Sequence, residues 1–264
     1  DITVPPLSVT SALPSIMNGG KDFSPWSRCD DLLYQTLRVP VEAVLGKDGF
    51  ALADVAIAES KFEKGEDISG RMLSIMARIH EIQQNGTPDI EFAAVGLLSR
   101  SQLASGRADD ARHTLELLRT RFCEQGQKRF LPNLDAMLCR LSLQTGDRDA
   151  AECWYREKAP RNPQQFNAML RYQYLTQAMA ELSGGRPDSA LLTLAPLRAY
   201  CSVCQRHIDG IHLEVLSAIA LYRMEDGAWQ ARLAAALEKA AEFPFVRTVS
   251  VYGNAVLPLL EALS

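Results

Sequence analysis

Three side chains that bind soft metals stand close together in the sequence: Cys201, Cys204 and His207, with His212 beyond them. At a helical spacing of three residues, two thiolates and an imidazole share one face of the helix. Thiolate and imidazole are the side-chain groups that zinc prefers as ligands. A structural zinc site usually draws its four ligands from two separated elements, and this sequence offers one short cluster. We therefore expect a thiol pair beside a helix end and no metal or other cofactor.

No group of residues in the sequence predicts catalysis. The adjacent carboxylates Asp109 and Asp110 follow Gly106, where acids favour the first turn of a helix because of its dipole. Nothing in the sequence places a Ser, His and Asp, or a Cys, His and Asn, in a catalytic arrangement. Residues 19–22 (Gly-Gly-Lys-Asp) lack the first glycine and the hydroxyl of a nucleotide-binding P-loop. We predict that the chain is not an enzyme.

The composition predicts a globular helical chain. The 264 residues are 47% hydrophobic and only 7% aromatic, a balance that favours helices over strands. The net charge of -4 excludes nucleic-acid or acidic-membrane binding through bulk charge. The uncharged stretch 2–20 contains prolines and glycines and has no basic segment before it, so we expect neither a membrane span nor a signal peptide. The 6 scattered cysteines do not form a disulfide framework, and we expect a cytoplasmic location.

A repeat of about forty residues is the strongest pattern. Turn-like points recur at 65, 106, 146, 185 and 226, which are 41, 40, 39 and 41 residues apart. A glycine after an apolar run ends a helix, and a small residue five positions later lets the next helix pack closely. Those small residues are Gly70, Ala111, Ala151, Ala190 and Ala231. Because one helix pair cannot bury its own apolar face and stacked pairs can, the pattern predicts an all-α, tetratricopeptide-like α-solenoid of about five helix pairs.

The periodicity predicts helices at 32–39, 49–62, 68–85, 90–103, 108–125, 131–144, 148–158, 165–182, 187–201, 208–224, 228–241 and 254–263. We treat 1–264 as a single helical-repeat domain, with an irregular lead-in at 1–30 and a closing helix at 254–264. Three residues before each turn the side chain is apolar, except at Arg223 in the last repeat. This exception predicts that the last repeat is shifted or partly exposed.

The first helix of each pair usually lines the concave side of such a solenoid, which makes this side the candidate binding face. Arg100 and Arg140 lie six residues before their turns and project one repeat apart, with Asn133, Tyr172 and Tyr174 on first helices near that face. Guanidinium groups with aromatic neighbours suit an anionic or sugar-like ligand or an acidic peptide. The alternative is that these arginines pair with acids of adjacent repeats.

Several phrases resemble the helical-repeat region of large LuxR-family transcription regulators of the maltose-regulator (MalT) type. They are residues 182–192 (Leu-Ser-Gly-Gly-Arg-Pro-Asp-Ser-Ala-Leu-Leu), 243–248 (Phe-Pro-Phe-Val-Arg-Thr) and 257–260 (Leu-Pro-Leu-Leu). Residues 13–23 are similar to a phrase found where the repeats begin in some members, with Leu13 and Lys21 each standing where those members carry an arginine.

The resemblance implies a regulatory domain that senses a small effector or a protein partner. In this family a P-loop NTPase precedes the repeats and a DNA-binding helix-turn-helix follows them, so the chain would be a middle piece that does not itself contact nucleic acid. The alternative is a tetratricopeptide-like protein-interaction scaffold without a small-molecule effector.

Overall fold

The computed structural model describes residues 38, 39, 43, 46–160 and 166–263. Their helices are α1 (Leu52–Glu63), α2 (Ser69–Ala77), α3 (Ile79–Asn85), α4 (Pro88–Ala104), α5 (Ala108–Glu124), α6 (Leu131–Thr145), α7 (Arg148–Glu157), α8 (Arg171–Ser183), α9 (Pro187–Val203), α10 (His207–Arg223), α11 (Trp229–Glu242), α12 (Val246–Ser250) and α13 (Leu257–Leu263). The described residues contain no strand. The predicted lead-in at 1–30 and most of the helix at 32–39 lie outside them.

The chain divides into two compact units, residues 1–131 and 132–264. In the first unit, α4 packs on α5, and α1 contacts both α2 and α4. In the second, α8 packs on α9, α9 on α10 and α10 on α11, while α8 also contacts α10. The first helices of successive pairs therefore lie beside each other within each unit. This confirms the predicted all-α, tetratricopeptide-like fold class.

Each unit has an apolar core. In the first unit the fully buried side chains include Leu52, Ile57, Ile82, Ile90, Phe92, Leu97, Leu115 and Phe122. In the second they include Leu134, Leu194, Leu197, Ile211, Leu216, Leu233 and Phe245. Full burial of one such side chain contributes about 1.5–3 kcal/mol to stability, so stacking is what holds the helix pairs together.

The turns within the helix pairs share one geometry. Gly65, Gly106, Gly146 and Gly185 have φ values of 83°, 78°, 82° and 73°, which is the left-handed region. After α8, the Gly185 N–H donates to the carbonyl of Leu182 (3.0 Å) and the Arg186 N–H to that of Glu181 (2.8 Å). These two bonds define a Schellman motif, which satisfies the last carbonyls of a helix.

The fifth turn lies one residue earlier than the repeat predicted. Its left-handed residue is Glu225 (φ 58°). The backbone N–H of Glu225 donates to the carbonyl of Tyr222, and that of Asp226 donates to the carbonyl of Leu221. Tyr222 therefore takes the position three residues before the turn, where its ring packs on Trp229. The predicted shift of the last repeat is confirmed, and it explains why Arg223 broke the apolar pattern.

The second helices of the first and fifth pairs begin late. α5, α7 and α9 start two residues after the left-handed residue, but α2 and α11 start four residues after it. The backbone N–H of Ser69 donates to Asp67 and that of Ala228 to Asp226, both at 2.9 Å, forming turns that delay the helix. As a result Gly70 and Ala231 are exposed, contrary to the predicted packing role, whereas Ala111, Ala151 and Ala190 are buried.

Candidate functional site

Arg100 is engaged by acids of the neighbouring first helix. It forms ion pairs with Glu59 (Nη1–Oε1, 3.4 Å) and with Glu63, and its guanidinium lies 4.8 Å from the centre of the Phe62 ring. Both carboxylates are 1% exposed. A buried carboxylate needs such a partner, because an unpaired charge in the core is costly. Of the two alternatives drawn from the sequence, ligand contact or pairing with acids of an adjacent repeat, the structure shows the pairing for Arg100.

Arg140 stands in a different environment, although it occupies the same repeat position. Its Nε donates to Thr176 Oγ1 (2.7 Å), its Nη2 donates to the carbonyl of Tyr172 (3.2 Å), and its guanidinium lies 3.8 Å over the Tyr172 ring. Among the described residues it has no carboxylate partner. Its positive charge is thus held by an aromatic face and by neutral oxygens.

The other predicted binding residues are spread over separate contacts. Asn133 Oδ1 accepts a hydrogen bond from Gln173 Nε2 at 3.3 Å. The side chain of Tyr174 is buried, stacks on Phe166 at 5.6 Å, and accepts a hydrogen bond from the Asn167 backbone N–H. The structure therefore brings Arg140 to Tyr172, but it does not gather the five predicted residues into one site. Whether any of them contacts a ligand stays a prediction.

The sulfur and imidazole groups at the end of α9 do not form a metal centre. Cys201 is buried and Cys204 exposed, and neither belongs to a disulfide. The His207 ring packs on Phe243, with 4.8 Å between ring centroids. No group of three or more His, Cys, Asp or Glu side chains in the described part of the chain is arranged to hold a metal.

A groove of about 840 Å³ opens in the second unit. First helices α6, α8 and α10 supply its apolar wall with Leu143, Met179, Leu182, Leu216 and Ile219. The segment after α12 adds Val251, Tyr252, Gly253, Asn254 and Ala255 to the lining. Met179 lies six residues before the Gly185 turn, the repeat position that Arg100 and Arg140 occupy before their own turns.

The C-terminal wall of the groove is fastened to α10. The hydroxyl of Tyr252 and Nδ1 of His212 are 2.8 Å apart, and the two rings meet edge to face at 5.7 Å. His212 is 4% exposed, so this bond lies largely away from water. It holds the segment 251–255 against the first helices.

Two arginines stand at the rim of the groove, and sequence reasoning selected neither as a site residue. Arg148 is the first residue of α7, and Arg223, the last residue of α10, donates a hydrogen bond to the carbonyl of Leu182. Burial lowers the pKa of Arg223 below its ordinary value, and the positive charge of Arg148 lowers it further. The signal for Arg223 was present in the sequence, as the one charged residue at an apolar repeat position.

A charged cluster is buried inside the second unit. Asp209 Oδ2 accepts hydrogen bonds from Arg171 Nε and Arg206 Nε, both at 2.9 Å, and each of the three side chains is at most 4% exposed. These groups are almost completely enclosed by protein, although Arg206 also contributes to the lining of a second cavity in this unit. The cluster is therefore a structural element of the core.

A polar pair recurs between the two helices of a repeat. In the first unit the Thr114 hydroxyl donates to Gln102 Oε1 (3.0 Å), and in the second the Thr193 hydroxyl donates to Glu181 Oε1 (3.2 Å). The partners stand four residues before and eight residues after the left-handed glycine in both cases. Burial raises the pKa of Glu181, although hydrogen bonds from Gln177, Thr193 and Tyr155 oppose this.

Tandem helix pairs with Schellman turns and close-packed alanines define a tetratricopeptide-like repeat region. A family model described as the MalT-like TPR region matches residues 51–264. The chain therefore belongs to the MalT-like TPR region family, as the sequence resemblance suggested. No curated protein matches the chain. Among the described residues, no helix combines the length and the apolar character needed to cross a membrane.

Proposed function

We propose that the chain is the effector-sensing or partner-binding regulatory domain of a cytoplasmic LuxR-family transcription regulator. The effector or partner binds the groove of the second unit, and the event passes to the NTPase and DNA-binding domains of the full-length protein. In this proposal the chain itself does not catalyse a reaction or contact DNA.

The observation that carries this proposal is a large groove built on the first helices of a MalT-like repeat region. Its volume of about 840 Å³ lies within the roughly 300–1,000 Å³ of small-molecule sites. Its lining combines apolar side chains with a few polar groups, Gln144, Ser183 and Asn254, as such sites do.

The groove offers a simple way to couple binding to shape. Its lining comes from three successive first helices and from the segment 251–255, so one occupant contacts four parts of the unit together. A ligand that fits one spacing of these elements better than another shifts the population toward that spacing. Coupling to other domains then requires only that they discriminate between the two arrangements.

Thermal unfolding with a ligand panel tests the proposal. The panel contains neutral sugars, nucleotides, organic acids and short peptides, and the intact chain is the sample. A ligand that binds only the folded state raises Tm, by about 3 °C or more near saturation. At least one compound is expected to do so, and a silent panel would remove the small-molecule form of the proposal.

A scaffold without a small-molecule effector is the second candidate. It is favoured by exposed apolar side chains on second helices: Leu73, Leu117, Leu192 and Val203 are 73%, 57%, 70% and 83% exposed. Such residues suit contact with another protein. The coding sequence on either side of this chain discriminates the candidates, because an NTPase before it and a helix-turn-helix after it support the regulator, whereas their absence supports the scaffold.

A further inference from the structure

The charge of the groove is one-sided. None of the described residues that line it is an Asp or Glu, while Arg148 and Arg223 both belong to the lining. Neither arginine forms an ion pair with a carboxylate in the part of the chain that the structure describes. Elsewhere in the same unit, Arg171, Arg186, Arg198, Arg206 and Arg232 all pair with acids.

The two guanidinium groups disfavour each other in this position. Arginine does not deprotonate in proteins, so both remain charged. Arg223 is partly desolvated, and the positive charge of Arg148 acts on it as well. One of its N–H groups is used on the Leu182 carbonyl, and a guanidinium carries five such donors. An anion placed between the arginines would relieve the repulsion and accept several charge-assisted hydrogen bonds.

The rest of the groove suits an apolar body attached to that anion. Leu143, Met179, Val251 and Ala255 are half-buried and reach the groove, as does the ring of Tyr252. A bare inorganic anion would leave these surfaces in water. An organic anion would cover them, and each buried methylene contributes about 0.8 kcal/mol.

A second cavity in this unit gives the contrast. It has a volume of about 720 Å³ and its lining includes Arg198, Arg206 and Lys239. The same lining also carries Glu214, Glu238 and Glu242, and Arg198 is paired with Glu214. Its cations are matched by acids, so it has no comparable preference for an anion.

From this combination we infer that the groove binds an organic anion, a carboxylate or phosphate monoester on an apolar body, with the anionic group held by Arg148 and Arg223. The inference rests on the proposed function, because it names the ligand class for that same groove.

Calorimetric titration of the intact chain with 1-naphthyl phosphate and 1-naphthoate tests it. 1-Naphthol supplies the apolar body without the charge, and inorganic phosphate supplies the charge without the body. At least one naphthyl anion is expected to bind at least tenfold more tightly than either control, and the tighter of the two tells whether the natural group is a phosphate or a carboxylate. Equal binding of 1-naphthol, or no binding of either anion at about 10 mM, would overturn the inference.

The variants R148Q and R223Q locate the anion. Each is expected to weaken binding of the naphthyl anion about tenfold or more, while R156Q, which removes an exposed arginine of α7 outside the groove, leaves it unchanged. R148Q carries the test if R223Q fails to fold, because Arg148 is exposed and, among the described residues, lacks the bond to a helix-end carbonyl that Arg223 makes. Unchanged affinity in R148Q overturns the inference.

Failure here and failure of the proposed function have different signatures. If a neutral compound raises Tm while the naphthyl anions do not bind, the regulatory groove stands and its anion preference falls. If neither the panel nor the anions bind, the anion preference and the small-molecule form of the proposed function both fall.

Discussion

At the scale of single residues, the arginines of the second unit differ in whether an acid is paired with them. Asp209 balances two arginines, Arg171 and Arg206, within a cluster that has almost no contact with water. Breaking such a cluster costs more than its formation contributes, because the remaining charges stay buried without a partner. Arg148 and Arg223, which have no such acid within the described part of the chain, line a groove instead.

The variant D209N is expected to lower the free energy of unfolding by about 3–5 kcal/mol, since it leaves two buried guanidinium groups facing a neutral amide. Urea titration followed by circular dichroism measures the change. D110N is the matched control, because Asp110 pairs with Arg107 at 3.6 Å where both side chains are more than half exposed. This exposed pair is worth under about 1 kcal/mol, and an equal loss in the two variants would mean that the Asp209 cluster has no special role.

Glu181 predicts a dependence of stability on pH. Burial raises its folded-state pKa above the unfolded value, so its contribution is fully present at low pH and is lost as the pH rises through the folded pKa. E181Q is therefore expected to be more stable than the wild type at pH 7, and the difference should vanish below about pH 4. Gln102, which accepts from Thr114 at the equivalent position, indicates that an amide fits there.

Chemical unfolding of both proteins at several pH values measures this difference. The matched control is Q102E, which introduces a carboxylate at the same repeat position of the first unit. It is expected to lose stability at pH 7 for the same reason. A less stable E181Q at neutral pH would show that the hydrogen bonds to the carboxylate outweigh its burial.

At the scale of the elements, the turns set the repeat. Four of the five within-pair turns use glycine at the left-handed residue, and the fifth uses Glu225. A residue with a Cβ atom is strained in this conformation by about 1–2 kcal/mol, whereas glycine is not. The fifth turn is thus the one that carries backbone strain.

A reciprocal pair of variants tests the turn account. G185A is expected to destabilise the chain by about 1 kcal/mol, and this cost is purely a backbone cost because a Cβ at Gly185 would meet no atom within 4 Å. E225G is expected to stabilise it by about 0.5 kcal/mol, since relief of strain is partly offset by the flexibility of glycine in the unfolded chain. Thermal and urea unfolding measure both, and a stabilising G185A would refute the assigned geometry.

The sequence predicted the repeat well because its determinants are local. The glycine, the alanine five residues later and the apolar periodicity all act within one helix pair. The predicted helix bounds were wrong where contacts between residues distant in the sequence determine them. The predicted helix 68–85 is divided at Arg78, whose guanidinium contacts Asp54 and Glu81 and lies 4.4 Å over the Phe50 ring. No glycine or proline marks this division. The predicted closing helix at 254–263 is preceded by the separate helix α12 and begins only at Leu257.

The candidate site was less predictable, because repeat position does not determine the environment. Arg100 and Arg140 occupy equivalent positions, but the neighbouring first helix offers Glu59 and Glu63 to the former, while Tyr172 and Thr176 receive the latter. The groove combines residues from 143 to 255 and depends on a C-terminal segment outside the repeat pattern. Of the residues that line the groove, only Arg223 stood out in the sequence, as a charged residue at an apolar repeat position.

At the scale of the whole chain, the two compact units hold different candidate features. The first carries the Arg100 pairs with two buried glutamates, and the second carries the groove, its two unmatched arginines and the Tyr252–His212 bond. The proposed effector site therefore lies in the second unit. Because three first helices and the segment 251–255 all contribute, binding requires that unit to be folded throughout.

Filling the groove tests this assignment most directly, whatever the ligand class. Met179 is half-buried in the groove wall, so the indole of M179W occupies the space, whereas L192W places the same ring on the outer surface of α9, where Leu192 is 70% exposed. Thermal unfolding of both variants with every compound that raises the Tm of the wild type is the measurement. The shifts are expected to vanish in M179W and to persist in L192W, and shifts that persist in a folded M179W would contradict the placement of the binding site in this groove.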